Sequence, residues 1–173
     1  MQHFTPHSLA SWDRFTRGNF INSLSGFKST HLIGTTHENG VYNLGLFHNV
    51  VHLGADPALV GFVNRPREAA PHTLTNIERS GWYTMNAVTE PMVAQAHQCS
   101  AKYPAETSEF EAVGLDVLVR PEYSAPFVAA SPVQYAMQLM EVIPIRHNGT
   151  FLVVGEVKGV WLHPGLLGPD GFI

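Results

Sequence analysis

The chain has 173 residues, enough for one domain (1–173) with a sizeable core, and carries a formal net charge of −4. It has no basic run, which excludes a nucleic-acid footprint, and no stretch near the roughly 18 consecutive apolar residues that a membrane span needs. Apolar residues make up 45% and charged residues 14%, well under the usual ~25%, so part of the surface is either buried by a partner subunit or a ligand, or simply inert.

Met1 to Ser11 lack the charged start and apolar run of a signal peptide, and Cys99 stands alone, so no intrachain disulfide can form. Both features point to a cytoplasmic location. Fifteen glycines and twelve prolines are spread throughout, as expected for many short elements joined by turns.

Ser29 to Thr36 reads as a strand, Glu38-Asn39-Gly40 as a tight turn, and Val41 to Phe47 as the returning strand. Val50 to Leu53 and Ala58 to Val63 are two more apolar runs, separated by Gly54-Ala55-Asp56-Pro57. A helix is expected from about Thr73 to Ser80, with Thr75 and Glu78 at capping-box spacing, Leu74 and Ile77 on its apolar face, and Gly81 as its stop. Trp82 to Val88 resumes as a strand. A second helix is expected from about Glu90 to Cys99, capped by Thr89 with Pro91 in its first turn. Lys102 to Gly114 reads as a polar loop. Asp116 to Arg120, Val133 to Ile143 and Phe151 to Val160 read as strands, the last two joined at Asn148-Gly149. Seven or eight strands with two or three short helices predict a mainly β fold, closed as a barrel.

Two segments could carry chemistry. Arg65 and Arg67 follow a strand end at Asn64, and a loop leads to His72-Thr73 at a helix start. Unpaired N–H groups, a guanidinium and a hydroxyl together make an anion site, with phosphate the natural guest. The same residues also read as a solvated loop whose Thr73 merely caps its helix, and the segment alone favours that plainer reading. In Asn43 to Asn49 (NLGLFHN) the alternation breaks near a strand end. Such a segment can present backbone groups to a planar heterocycle, but it also reads as a strand with an irregular end, and the segment alone favours that plainer reading. The ten histidines contain no metal-protease spacing, so no metal site is expected, even with His31, His48 and His52 on neighbouring strands. Cys99 reads as a small buried residue rather than a reactive thiol.

Taken in order, Asn43-Leu44-Gly45-Leu46-Phe47, Gly54-Ala55-Asp56-Pro57, Gly61-Phe62-Val63-Asn64-Arg65-Pro66, His72-Thr73-Leu74-Thr75-Asn76-Ile77 and Gly81-Trp82-Tyr83-Thr84-Met85-Asn86 resemble the flavin reductase-like, FMN-binding split-barrel family. Ser100-Ala101-Lys102-Tyr103-Pro104, with Glu109-Phe110-Glu111 and Gly114-Leu115, resembles its flexible loop. Ser131-Pro132-Val133 and Gly155-Glu156-Val157 resemble its later strands. The resemblance runs from about Phe20 to Ile173. It implies a split β-barrel with Greek-key-like topology, in a homodimer with FMN at the interface. Asn43, Leu44, Gly45, Leu46, Phe47, His48 and Asn49 would then approach the flavin ring. Arg65, His72, Thr73, Asn76, Ser100, Ala101 and Lys102 would surround the phosphate. Gly45 and His48 stand where many members have an alanine and a serine. Similar chains commonly continue past the Asp170-Gly171-Phe172-Ile173 position with a tail that helps to cover the flavin or the nicotinamide, which bears on nicotinamide binding more than on FMN.

The function so implied is NAD(P)H-dependent flavin reduction, with NADH or NADPH as donor and a small-molecule substrate or redox acceptor. No acid–base residue is required, and His48 is the one ionisable candidate near the ring. The alternative is an electron-transfer protein that holds FMN without a nicotinamide site of its own.

Overall fold

A computed structural model describes residues 2–173. Two helices come first, α1 (Pro6–Ala10) and α2 (Arg14–Ser23), followed by strands β1 (His31–Thr36), β2 (Tyr42–Phe47), β3 (Val50–Ala55) and β4 (Ala58–Asn64). Helix α3 (Pro71–Ser80) precedes β5 (Trp82–Ala87). After a 3-10 turn at Glu90–Met92 come α4 (Val93–Gln98) and α5 (Glu109–Val113). The chain ends with β6 (Val117–Leu118), β7 (Phe127–Val128) and a long hairpin of β8 (Val133–Ile145) and β9 (Thr150–Leu162).

The main sheet has the order β2-β1-β5-β8-β9-β4-β3, every pair antiparallel, while β6 and β7 form a small ladder of their own. β2 and β3 therefore sit at opposite edges, yet only His48 and Asn49 join them. Three residue steps span at most about 11 Å, whereas six strand spacings across a flat sheet measure roughly 29 Å. The sheet must curl until its edges meet. No ladder joins β2 to β3, so the barrel is split along that seam.

Closure gives the strands two buried faces. On β1, Leu32 and Ile33 point to opposite sides, and both are fully buried. Ile33 joins the barrel interior with Phe62, Leu74, Ile77, Tyr83, Met85, Met137 and Val153. Leu32 joins an outer core with Leu44, Met92, Ala96, Cys99, Phe110, Leu115 and Val128. Helices α1 and α2 contribute to neither, since no residue in them is buried. Among the described residues no helix is long and apolar enough to cross a membrane.

The mainly β split barrel agrees with the expectation from sequence, but the helices outnumber it. The N-terminal pair went unread despite the capping box at Thr5 and Ser8 and the Asp13 cap. Helix α5 lies inside the expected polar loop. Helix α3 starts at Pro71, so Thr73 is its third residue and not its cap. The Thr75–Glu78 capping box does not form; Glu78 instead binds Arg67 through two hydrogen bonds of 2.8 and 2.6 Å. Thr89 makes no side-chain cap bond, and the helix it precedes opens as a 3-10 turn. The expected strand from Asp116 to Arg120 shrinks to Val117–Leu118.

The Tyr83 hydroxyl is sealed in the barrel without a partner, and a Cβ on Gly155 would overlap it. Tyr83→Phe is expected to raise stability by about 1 kcal/mol in urea unfolding. Gly155→Ala is expected to cost about 1–3 kcal/mol, and less in the Tyr83→Phe background. Equal costs in the two backgrounds would disprove the overlap. In the outer core, burial, with a smaller effect from Glu109, pushes the Cys99 thiol up to about 12. A raised pKa leaves almost no thiolate at neutral pH. Alkylation by iodoacetamide at pH 8 is therefore expected to be at least ~100-fold slower in the native protein than in denaturant.

Candidate functional site

The seam creates an unusual strand edge. Along an antiparallel strand, successive residues turn their N–H and C=O groups to alternate sides. The Leu44 N–H points away from β1 and donates to Glu109 Oε2 at 2.9 Å. Leu46, two residues on, faces the same way, along an edge that no strand covers. A cavity of about 480 Å³ runs along this edge, within the usual range for small-molecule sites.

Asn43, Leu44, Gly45, Leu46, Phe47, His48 and Asn49 line one wall of the cavity. Arg65, His72 and Thr73 line a second, and Ser100, Ala101 and Lys102 a third. Three segments distant in sequence thus meet around one space. Asn76 does not line it. Its side chain lies behind the wall, 3% exposed, and its Nδ2 donates to Thr35 Oγ1 at 3.0 Å. Arg67 is likewise drawn away, paired with Glu78 and stacked 4.9 Å from the Phe151 ring centre.

The polar residues beneath the wall fix its chemistry. Asn43 Nδ2 donates to Thr35 Oγ1 at 3.0 Å and to Thr73 Oγ1 at 3.2 Å. The Thr73 hydroxyl therefore accepts from Asn43, and among the described residues its own hydrogen meets no acceptor, which leaves it free to donate. Helix α3 begins beside it with Ala70 at the cap position and no side-chain cap bond. The His72 and Thr73 N–H groups thus lack intrahelical partners, at the positive end of the helix dipole. Arg65 and Lys102 form no salt bridge among the described residues. This end of the cavity gathers hydrogen-bond donors and positive charge, as an anion requires.

At the other end, His48 Nδ1 lies 3.1 Å from Asn49 Oδ1, which orients the ring at the seam. Gly45 keeps the wall open, because a Cβ there would come 2.9 Å from the Phe47 ring and 3.0 Å from Thr73 Oγ1. His37 packs edge-to-face on His72 with ring centres 5.0 Å apart, and burial, aided by His72 and Arg79, holds its pKa below the usual histidine range. Among the described residues no group of three His, Cys, Asp or Glu could hold a metal ion.

Sequence reasoning missed other parts of the lining: Glu109, Cys99 and His97, together with Glu68, Tyr103 and the turn from Ala69 to Pro71. Glu109 is the one with chemical weight. It is 6% exposed, and burial raises its carboxyl pKa while the hydrogen bond from Leu44 opposes the rise. Ser108 before it and Gly114 after α5 were the available signals of a helix that would present it.

Comparison with known proteins bears on the family and the fold. Residues 24–170 match the flavin reductase like domain. A Shewanella frigidimarina protein with a split barrel domain, described as a candidate flavin reductase, is 42% identical; the alignment covers 100% of this chain and 86% of that one, with a TM-score of 0.95. Flavoredoxin of Desulfovibrio vulgaris is 20% identical, covering 87% and 78%, with a TM-score of 0.74. An FMN-binding protein from Thermus thermophilus is 18% identical, covering 99% and 83%, with a TM-score of 0.71. For the latter two the likeness is one of fold. The chain spans about half the length, 53% and 57%, of the curated relatives it matches. Matched over most of its length and folded as a split barrel, the chain belongs to the flavin reductase-like family.

Proposed function

We propose that the protein binds FMN in this cavity and transfers reducing equivalents from a nicotinamide nucleotide, NADH or NADPH, to the flavin. The observation that carries the reading is the meeting of an uncovered strand edge and an anion cradle in one space. The edge at Leu46 offers N–H and C=O groups to a flat heterocycle that itself carries alternating donors and acceptors. Thr73, the N-terminus of α3, Arg65 and Lys102 supply what a phosphate needs. The absent Cβ at Gly45 leaves the Thr73 hydroxyl within reach. The residues present therefore fit FMN.

When bound, FMN supplies the redox chemistry, its ring taking hydride from a reduced nicotinamide. The protein's part is to hold, orient and exclude water. His48 and Asn49 would border the ring end, and Cys99, held as a neutral thiol, would add an unreactive wall. An open groove of about 520 Å³ shares His48, Asn49 and Val63 with the cavity and is also lined by Ser25, Phe27 and Lys28. It offers a second substrate an approach past the seam, which supports the enzymatic reading over an electron-transfer protein without a nicotinamide site. A homodimer with the cavity at its interface belongs to the same proposal. It is supported by apolar side chains left open on and after α2: Phe15 at 79%, Leu24 at 66% and the fully exposed Phe27.

Protein titrated with FMN is expected to quench flavin fluorescence and to oxidise NADH or NADPH in the steady state. A yellow protein reduced by dithionite but by neither nucleotide would favour the electron-transfer role, and absence of FMN binding would refute both. The double variant Arg65→Ala, Thr73→Ala is expected to weaken FMN by about 2–4 kcal/mol, roughly 30- to 1000-fold in Kd, through loss of two phosphate contacts. Unchanged affinity would remove the phosphate from this end of the cavity.

A further inference from the structure

Glu109 has two oxygens in different circumstances. Oε2 accepts the Leu44 N–H, 65 residues away in sequence. Among the described residues Oε1 makes no hydrogen bond to another residue, and Glu109 lines the cavity. The structure thus ties a carboxyl on a buried helix start to β2 by one oxygen, at the cavity wall.

Its place along β2 says what it would meet. Asn43, one residue before Leu44, holds the Thr73 hydroxyl at the anion end. Leu46, two residues after Leu44, opens the uncovered edge towards His48 and Asn49. A ligand with its phosphate at Thr73 and its ring along Leu46 to Asn49 would share the cavity with Glu109, which is fixed at Leu44 on the same wall. We propose that Glu109 reads the chain connecting ring and phosphate: Oε1 accepts hydrogen bonds from the hydroxyl groups of a polyol linker and so selects flavins that carry one. Hydroxyl-to-carboxylate bonds are short and charge-assisted, stronger than neutral pairs. By engaging the Leu44 N–H, Glu109 also withholds that donor from the ring and confines the ring to the edge beyond it. This inference rests on the flavin reading above and adds the determinant of linker chemistry.

Glu109→Gln is the discriminating variant. Its amide oxygen still accepts the Leu44 N–H, so the strut survives, while the free acceptor oxygen and its charge are lost. Riboflavin, which has the polyol but no phosphate, and lumiflavin, which has the ring alone, are titrated by fluorescence quenching. The wild type is expected to bind riboflavin at least tenfold more tightly than lumiflavin. E109Q is expected to bind riboflavin roughly five- to tenfold more weakly than wild type, with lumiflavin unchanged within twofold. Equal loss for both flavins would make Glu109 a strut only and overturn the proposal, as would unchanged riboflavin binding. Wild-type protein that binds both flavins equally would overturn it while leaving the flavin site standing. Protein that binds neither flavin, nor FMN, would bring down the flavin site and this inference with it.

Discussion

The structure depends on a two-residue link. His48 and Asn49 connect the two strands that lie farthest apart in the sheet order, so the sheet has to bend until its ends are neighbours. The ends meet without pairing. That unpaired meeting leaves the backbone of β2 facing a cavity instead of another strand, and the same bend splits the apolar residues into an interior and an outer core. Site and fold are two results of one connectivity.

The polar groups near the site divide into those that serve the frame and those left free. Thr35, Asn43 and Asn76 satisfy one another across β1, β2 and α3, and all are at most 3% exposed. Such a network holds its members in one arrangement because each lost bond would leave a buried group unpaired. Thr73 sits at its margin, half engaged. Arg65 and Lys102 stay outside it. Preorganisation is therefore local: the frame fixes the hydroxyl, while the cations stand at the rim.

Much of the fold was legible in the sequence because its signals are short-range. Asn39-Gly40 and Asn148-Gly149 mark turns, with positive φ at both glycines, and the apolar runs between turns are the strands. That Arg65 and the start of α3 line one cavity was legible for a related reason, since they are close in sequence. What escaped is long-range or marginal. Nothing local pairs Leu44 with Glu109, turns Asn76 inward, or sends Glu78 to Arg67 instead of to its own helix start. β6 and β7 have two residues each, too few for a periodicity. α1 and α2 bury no side chain, so their apolar residues give no face to recognise.

The contact of Glu109 with β2 has a consequence for the protein's behaviour in a crowded solution. A bare strand edge is a template on which a strand from another molecule can add, and edges left open in this way promote aggregation. β2 cannot be covered by a neighbouring strand without filling the cavity. Glu109 takes the outward donor at Leu44 and α5 packs against β2, which interrupts the row of groups that an incoming chain would have to match. A small molecule still finds the stretch beyond Leu44 open, whereas an extended peptide meets a buried carboxylate in its path. An added strand would have to displace Glu109 before it could pair with the middle of β2.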